Sequence, residues 1–356
     1  MNYYKNFIKP ILFQIDAEKA HNLAIWALKN NILKYPKIIN YNSLKVTICG
    51  IEFDNPIAMA AGFDKNAKVI SSLFKFGFGS IECGTVTPKS QIGNVKPRIF
   101  RLKEDKAIIN RLGFNNVGIE GFLHNLKKQS INQTFGINIG KNKDQKDAAA
   151  DYLSLLERVY GLSSYITINI SSPNTKDLRN IQQKSELDLF LQNIAGKKSE
   201  LIAKTGKIIP IFLKIAPDLN QDELKSITDN VLKNQIDAVI ISNSTISRNN
   251  LKSQYQSEDG GLTGKPLFDM SNEILSRFYQ LTEGKIPLIA SGGVFSASDA
   301  YEKIKIGASM VQIYSAFIYE GFSLVEKIKE DLDILLKNDN FNNVSEAIAK
   351  DVTKYN

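Results

Sequence analysis

The sequence predicts an α/β fold, a (β/α)8 barrel with a small helical extension at its N-terminus. Three observations lead there. Eight short apolar runs recur from residue 57 onward, and amphipathic stretches of helical length lie between several of them. No Gly-x-Gly-x-x-Gly turn follows the first run, as an open dinucleotide-binding sheet would want.

The runs cover residues 57–61, 79–83, 135–139, 165–170, 209–215, 238–241, 286–290 and 310–313. Most are rich in Ile or Val and bounded by Gly, Pro, Asn or Ser, the pattern of parallel strands buried on both faces. Residues 148–160, 186–204 and 221–234 read as helices, with Asp218 and Asn220 as candidate caps of the last. The first fifty-odd residues read differently. Residues 16–30 carry Ala20, Leu23, Ala24, Ala27 and Leu28 at helical spacing, and 8–13 is a shorter helical candidate. Pro36 breaks that pattern, and a hairpin of 46–50 against 51–54 is expected to close the barrel floor. The expected division is an extension over 1–42, a barrel over 43–340 and a C-terminal tail over 341–356.

Composition narrows the chemistry. Of 356 residues, 43% are hydrophobic and 23% charged, ordinary globular values. No apolar stretch reaches the 18 or so residues that a membrane-spanning helix needs, and the N-terminus lacks the pattern of a signal peptide. Two cysteines and two histidines, His21 and His124, leave little material for a disulfide framework, a metal site or a Ser-His-Asp triad. No metal is expected. The net charge of +8 comes from lysines scattered without a dense tract, so no nucleic-acid partner is expected.

Ligand sites of such barrels sit at the C-terminal strand ends, and here those ends are polar. The first run is followed by Ala61, Gly62 and Lys65, and the second by Thr85. The third contains Asn138, while the fourth leads into Asn169, Ser171, Ser172, Pro173, Asn174 and Thr175. Lys214 lies in the fifth. Ser242, Asn243, Ser244 and Thr245 follow the sixth, Ser291, Gly292 and Gly293 the seventh, and Tyr314 and Ser315 the eighth. An amide or ammonium buried without partners costs several kcal/mol, so Asn138, Asn169 and Lys214 inside apolar runs point to a purpose. Converging carboxamides suit a planar heterocycle with alternating C=O and N–H groups, and two lysines suit an anionic ligand. No paired Asp or Glu stands at these ends, which disfavours glycoside hydrolysis. The glycines after the seventh run fit a phosphate site.

The chain resembles the dihydroorotate dehydrogenase family in its class 2, quinone-reducing form. The resemblance runs from residues 16–21 to Ser315. Its most specific segments are 110–116 (Asn-Arg-Leu-Gly-Phe-Asn-Asn), 169–175 with Leu178 and Arg179, and 260–264 (Gly-Gly-Leu-Thr-Gly). It implies flavin mononucleotide (FMN) across the mouth of a TIM barrel. Ala61, Gly62, Lys65, Thr85, Asn138, Asn169, Lys214 and Ser242 would contact its ring and ribityl chain. Gly264, Gly293, Tyr314 and Ser315 would hold the chain and phosphate. Dihydroorotate would be bound by Lys65, Asn110, Arg111, Leu112, Gly113, Phe114, Asn169, Asn174, Asn243 and Ser244. Ser172 would be the catalytic base, with Thr175 and Phe114 beside a proton path.

The resemblance also implies a membrane quinone reached through an apolar mouth lined by Ile8, Leu12, Phe13, Leu23, Ala24, Ala27 and Leu28, with His21 and Arg101 at its head. Lys5, Lys9, Lys19 and Lys29 would face anionic lipid. A monomer attached peripherally to the cytoplasmic face of a bacterial cell membrane is expected. Two rivals rank well below this reading, since position 172 is Ser. A class 1-like enzyme using fumarate or NAD would place a cysteine at position 172, and an RNA-acting flavin barrel would need a further helical domain.

Overall fold

The computed structural model describes residues 4–175 and 178–355; residues 1–3 of the extension and residue 356 of the tail lie outside the described residues. After a π-type turn over Tyr4–Ile8 come α1 (Lys9–Leu12) and α2 (Ala17–Lys29), in register with the apolar spacing. Asp16 caps α2 by accepting from Lys19 N–H, a contact of about 1 kcal/mol. Leu28 anchors α2 in the core; Leu23 faces solvent. β1 (Val46–Ile48) and β2 (Ile51–Phe53) pair as the expected hairpin.

Among the described residues, eight parallel strands close a barrel in chain order. They are β3 (Ile57–Met59), β4 (Ser80–Val86), β7 (Phe135–Ile139), β8 (Tyr165–Asn169), β9 (Ile211–Ile215), β10 (Ala238–Ile241), β12 (Leu288–Ser291) and β13 (Ala308–Ile313). Nearly every strand residue is buried, because helices cover the outside while side chains fill the inside. Thr134 and Asp237, just before β7 and β10, hydrogen-bond to Glu52 and Cys49, so the hairpin sits on the floor.

The helices are α3 (Ile70–Phe74), α4 (Gly118–Leu126), α5 (Ala148–Val159), α6 (Lys184–Thr205), α7 (Gln221–Lys233), α8 (Phe268–Thr282), α9 (Ala297–Lys305), α10 (Ser315–Glu320) and α11 (Leu324–Asn338). Asn220 caps α7 in a reciprocal box with Glu223. Asp218 does not cap it. Its carboxylate instead takes Arg179 Nη1 at 2.8 Å, the Thr245 hydroxyl and Ile246 N–H, joining the loops after β8 and β10.

One layer was not expected. β5 (Ile99–Leu102), β6 (Ala107–Asn110) and β11 (Gly261–Gly264) form an antiparallel sheet in the order β11-β6-β5, over its own small core of Phe100, Leu102, Ile109 and Leu262. It sets Asn110 opposite Gly261. The 341–355 tail packs along α8 and α9, where Tyr355 Oη takes a hydrogen bond from Asn272 at 2.8 Å.

Candidate active site

Side chains inside the barrel are stacked in layers. Near the floor Tyr165 and Phe212 lie ring on ring at 4.4 Å, and a Cβ on Gly136 would fall 2.2 Å from the Tyr165 ring. Two residues further along the strands the filling turns polar. Glu82, fully buried, accepts from Asn138 Nδ2 (2.7 Å), Thr167 Oγ1 (3.0 Å) and Gln312 Nε2 (2.8 Å). Above it Lys214 Nζ donates to Gln312 Oε1 at 3.4 Å. Asn169 Nδ2 donates to Thr85 Oγ1 (3.1 Å) and Asn138 Oδ1 (3.3 Å), and the Thr85 hydroxyl donates to the same Asn138 oxygen at 2.5 Å. Burial lowers the pKa of Lys214, an effect partly opposed by the Glu82 carboxylate.

The loops that follow carry more amides. Asn243 Nδ2 donates to Ser171 Oγ (2.9 Å) and Asn169 Oδ1 (3.3 Å), and Asn174 Nδ2 donates to Asn110 Oδ1 (3.3 Å). Ser172 accepts from the Asn174 N–H at 3.3 Å. Arg179 braces this loop from behind by donating to Ser171 O (3.0 Å) and Ser244 O (2.8 Å). Thr175 Oγ1, next along, is buried with no hydrogen-bond partner among the described residues.

At the far side of the mouth the backbone comes close. Gly293 has φ +76°, and a Cβ there would fall 2.5 Å from Phe268 Cα at the start of α8. Only glycine fits such an approach, which brings the turn after β12 against the start of α8. Beneath them Lys303, fully buried, donates to Ser271 Oγ (2.8 Å) and Asn272 Oδ1 (2.6 Å). Burial pushes its pKa down to about 7.

A third wall is apolar. Leu12, Phe13, Ala17, Ala20 and Ala24 of the extension roof the cavity together with His21. His21 meets the Phe63 ring edge-on at 5.3 Å. Burial, reinforced by the nearby Lys65 charge, pushes its pKa down to about 3, so the imidazole is neutral. Arg101 stacks over Phe13 at 4.7 Å and donates to Leu12 O at 2.7 Å and to Ile15 O, satisfying carbonyls left open at the end of α1. Glu18 of α2 grips the buried Arg98 through both carboxylate oxygens (2.6 and 3.0 Å), which ties the extension to the mouth. Lys65 is pushed down to about 8 by burial, with Glu18 opposing the shift.

Of the expected quinone mouth, Leu12, Phe13, Ala24, His21 and Arg101 line this one cavity. Ile8, Leu23, Ala27 and Leu28 do not, because Leu23 faces solvent and Leu28 packs into the core. Every residue expected to bind cofactor or substrate lines the cavity, with two exceptions. Asn138 lies a layer below it and acts on Thr85 and Asn169. Arg111 follows Asn110 at the end of β6 and points outward, paired with Glu258 at 2.7 Å and stacked over Phe100 at 4.6 Å. Sequence reasoning passed over Glu82, Gln312, Thr167 and Lys303. Glu82 and Gln312 carried the same signal as Asn138, a polar residue inside an apolar run.

The model of the dihydroorotate dehydrogenase family matches residues 43–336. A dihydroorotate dehydrogenase (quinone) of Shewanella frigidimarina is 46% identical, over 92% of this chain and 98% of its own length. The chain belongs to the dihydroorotate dehydrogenase family. A relative of the same name from Rhizobium rhizogenes is 45% identical over 94% of this chain and 93% of its own. A crystal structure of DHODH in complex with ferulenol from Eimeria tenella superposes with a TM-score of 0.90 at 39% identity, over 94% of this chain and 95% of that one. These relatives bear out the class 2 resemblance. The family is flavin-dependent, and no helix among the described residues is long and apolar enough to cross a membrane.

Proposed function

We propose that the chain oxidises (S)-dihydroorotate to orotate in pyrimidine biosynthesis, with FMN bound across the barrel mouth and a membrane quinone as final electron acceptor. The observation that carries this reading is the sharing of one cavity by three unlike walls. Four carboxamides beside Ser172 and Lys65 suit the substrate, the Gly293 cradle suits a phosphate, and the apolar roof suits a quinone.

The donor set fits FMN. Lys214, Asn169, Thr85 and Ser242, with the backbone at Ala61 and Gly62, would meet the ring and ribityl chain. Gly264, Gly293, Tyr314 and Ser315 would hold the phosphate end above the buried Lys303. The bound flavin supplies the hydride acceptor. Lys65 and the amides of Asn110, Asn174 and Asn243 orient the anionic substrate so that Ser172 Oγ takes the proton from its C5. A serine hydroxyl is a weak base, so its surroundings must activate it. The Thr175 hydroxyl, buried and without a partner among the described residues, is suited to pass that proton onward. Lys214 provides positive charge beside the ring in a water-poor setting, where charge acts strongly.

Residues 1–42 form the quinone module in this reading, residues 43–340 the catalytic barrel and 341–356 a C-terminal tail. The chain acts as a monomer held peripherally at the cytoplasmic face of a bacterial cell membrane. Lys19 and Lys29, exposed on α2, would meet anionic lipid, whereas Lys5 is paired with Glu320 and Lys9 stacks on Phe13 and Tyr319. The test is anaerobic mixing of flavin-loaded protein with dihydroorotate, followed at the flavin absorbance band, then addition of a short-chain quinone. Bleaching and recovery are expected, with none from fumarate or a nicotinamide. Failure to bleach overturns the substrate, and bleaching without quinone recovery overturns the acceptor.

A further inference from the structure

We propose that Glu82, sealed inside the barrel one layer below the cavity, is a positioning residue for the redox site. It fixes the direction of the Asn138 and Gln312 amides and thereby holds the Lys214 ammonium at the cavity wall. The inference rests on the flavin reading above and deepens it.

The hydrogen bonds run one way. Glu82 Oε1 receives Asn138 Nδ2 at 2.7 Å, and Oε2 receives Gln312 Nε2 at 2.8 Å and Thr167 Oγ1 at 3.0 Å. Three donors from three other strands, β7, β8 and β13, converge on one buried carboxylate, the arrangement an ionised acid needs when water is absent. Each amide then has its oxygen left for the layer above. The Gln312 oxygen takes Lys214 Nζ (3.4 Å), and the Asn138 oxygen takes Thr85 Oγ1 (2.5 Å) and Asn169 Nδ2 (3.3 Å). A reversed Gln312 would set its N–H2 group against the ammonium. A reversed Asn138 would face another N–H2 group, that of Asn169. One carboxylate thus sets the polarity of three groups that line the cavity: Lys214, Thr85 and Asn169.

Glu82 also supplies the negative charge that balances Lys214 through Gln312. Charge-assisted bonds of this kind are roughly twice as strong as neutral ones, and chains of them reinforce each other in a low-dielectric interior. Lys214 lines the cavity whereas Glu82 does not, so the nearer charge to a bound flavin is the positive one. That ordering gives the inference a sign. If Glu82 acts by holding Lys214, its loss makes the flavin harder to reduce. If it acts only as a negative charge nearby, its loss makes the flavin easier to reduce.

The experiment is a dye-coupled reductive titration of the flavin-loaded full chain. In Glu82→Gln an N–H2 group replaces one carboxylate oxygen, so one of the two amides must turn over. The equilibrium constant for two-electron reduction is expected to fall at least tenfold, about 30 mV in potential. Gln312→Leu cuts Lys214 from Glu82 while leaving the Glu82 charge in place, and should lower the same constant. It covers the case in which Glu82→Gln does not fold. The double variant Glu82→Gln with Gln312→Glu carries the carboxylate to the lysine and should restore the parent value to within about threefold. A potential that is unchanged or higher in Glu82→Gln overturns the inference, as does an unchanged potential in Gln312→Leu. A parent chain that takes up no flavin overturns this inference together with the functional reading. A flavin-loaded parent that is bleached by dihydroorotate but indifferent to these substitutions overturns this inference alone.

Discussion

At the barrel mouth Asn169 shares hydrogen bonds with Thr85, Asn138, Ser171 and Asn243. Under α2 the same cavity is walled by Leu12, Phe13, Ala17, Ala20 and Ala24, with His21 and Arg101 as polar groups. The first region is a lattice in which moving one group misplaces several. The second is a set of small and apolar surfaces whose polar members are already occupied, Arg101 with carbonyls and His21 neutral against Phe63. Precise placement is worth most where bonds break, and an apolar passage tolerates a ligand with a variable tail. The two ends should therefore respond to substitution in opposite half-reactions.

The largest effect is expected from Ser172→Ala. Removing the proposed base should slow flavin reduction by dihydroorotate by roughly 10²- to 10⁴-fold, the usual worth of positioned proton transfer. Reoxidation of the photoreduced protein by quinone should keep its rate. Stopped-flow absorbance separates the two, and near-normal reduction would remove Ser172 from the base role. Ala24→Trp is the converse. A large ring in the roof should cost on the order of 1–3 kcal/mol of quinone binding, a loss of roughly 5- to 150-fold in kcat/KM for quinone. Flavin reduction by dihydroorotate should not change, and a fall in that rate instead would place the roof over the substrate.

A smaller effect separates the ends by pH. Lys65 has its pKa lowered from 10.5 to about 8, so its charge is present below that pH and lost above it. The KM for anionic dihydroorotate should stay flat below pH 8 and climb above it, by at most about tenfold per unit. His21, pushed down to about 3, stays neutral across the same range, so the quinone KM should be flat. Lys65→Met should raise the dihydroorotate KM at low pH and remove its slope. A slope that survives the substitution assigns the titration elsewhere.

The same contrast explains what sequence could reveal. Barrel strands buried on both faces are written as Ile- and Val-rich runs, so all eight were legible within a few residues of their ends. The sheet of β5, β6 and β11 was not. Each strand is only four residues long, and two of them pair with a partner from a distant βα loop, so no local pattern announces them. Polar residues at strand ends were readable one by one because each breaks an apolar run. Their joint geometry was not: Glu82 breaks an apolar run as Asn138 does, but its partners come from three other strands, so its role was not legible. Arg111 shows the reverse limit. It sits within a segment of high resemblance, yet the alternation that turns Asn110 inward turns its neighbour outward to Glu258.

The smallest effect is expected on the outside of the apolar end. Ile11, Leu23 and Trp26 are 67%, 46% and 55% exposed, on the far side of the helices that roof the cavity. Exposed apolar side chains grouped on neighbouring helices, with Lys19 and Lys29 beside them, suit contact with an anionic lipid surface. Ile11→Ser with Trp26→Ser leaves the cavity wall intact and removes only this outer face. Each apolar loss and each lysine is worth about 1 kcal/mol at such a surface, so binding to phosphatidylglycerol vesicles should weaken roughly tenfold to thirtyfold by co-sedimentation. Turnover with a short-chain, water-soluble quinone should be unaffected, while turnover with a long-chain quinone dissolved in the vesicles should fall in step with binding. Equal losses with both quinones would mean that the substitutions disturb the roof itself. Unchanged vesicle binding would leave the outer face without a role and move the search for the membrane contact to another surface.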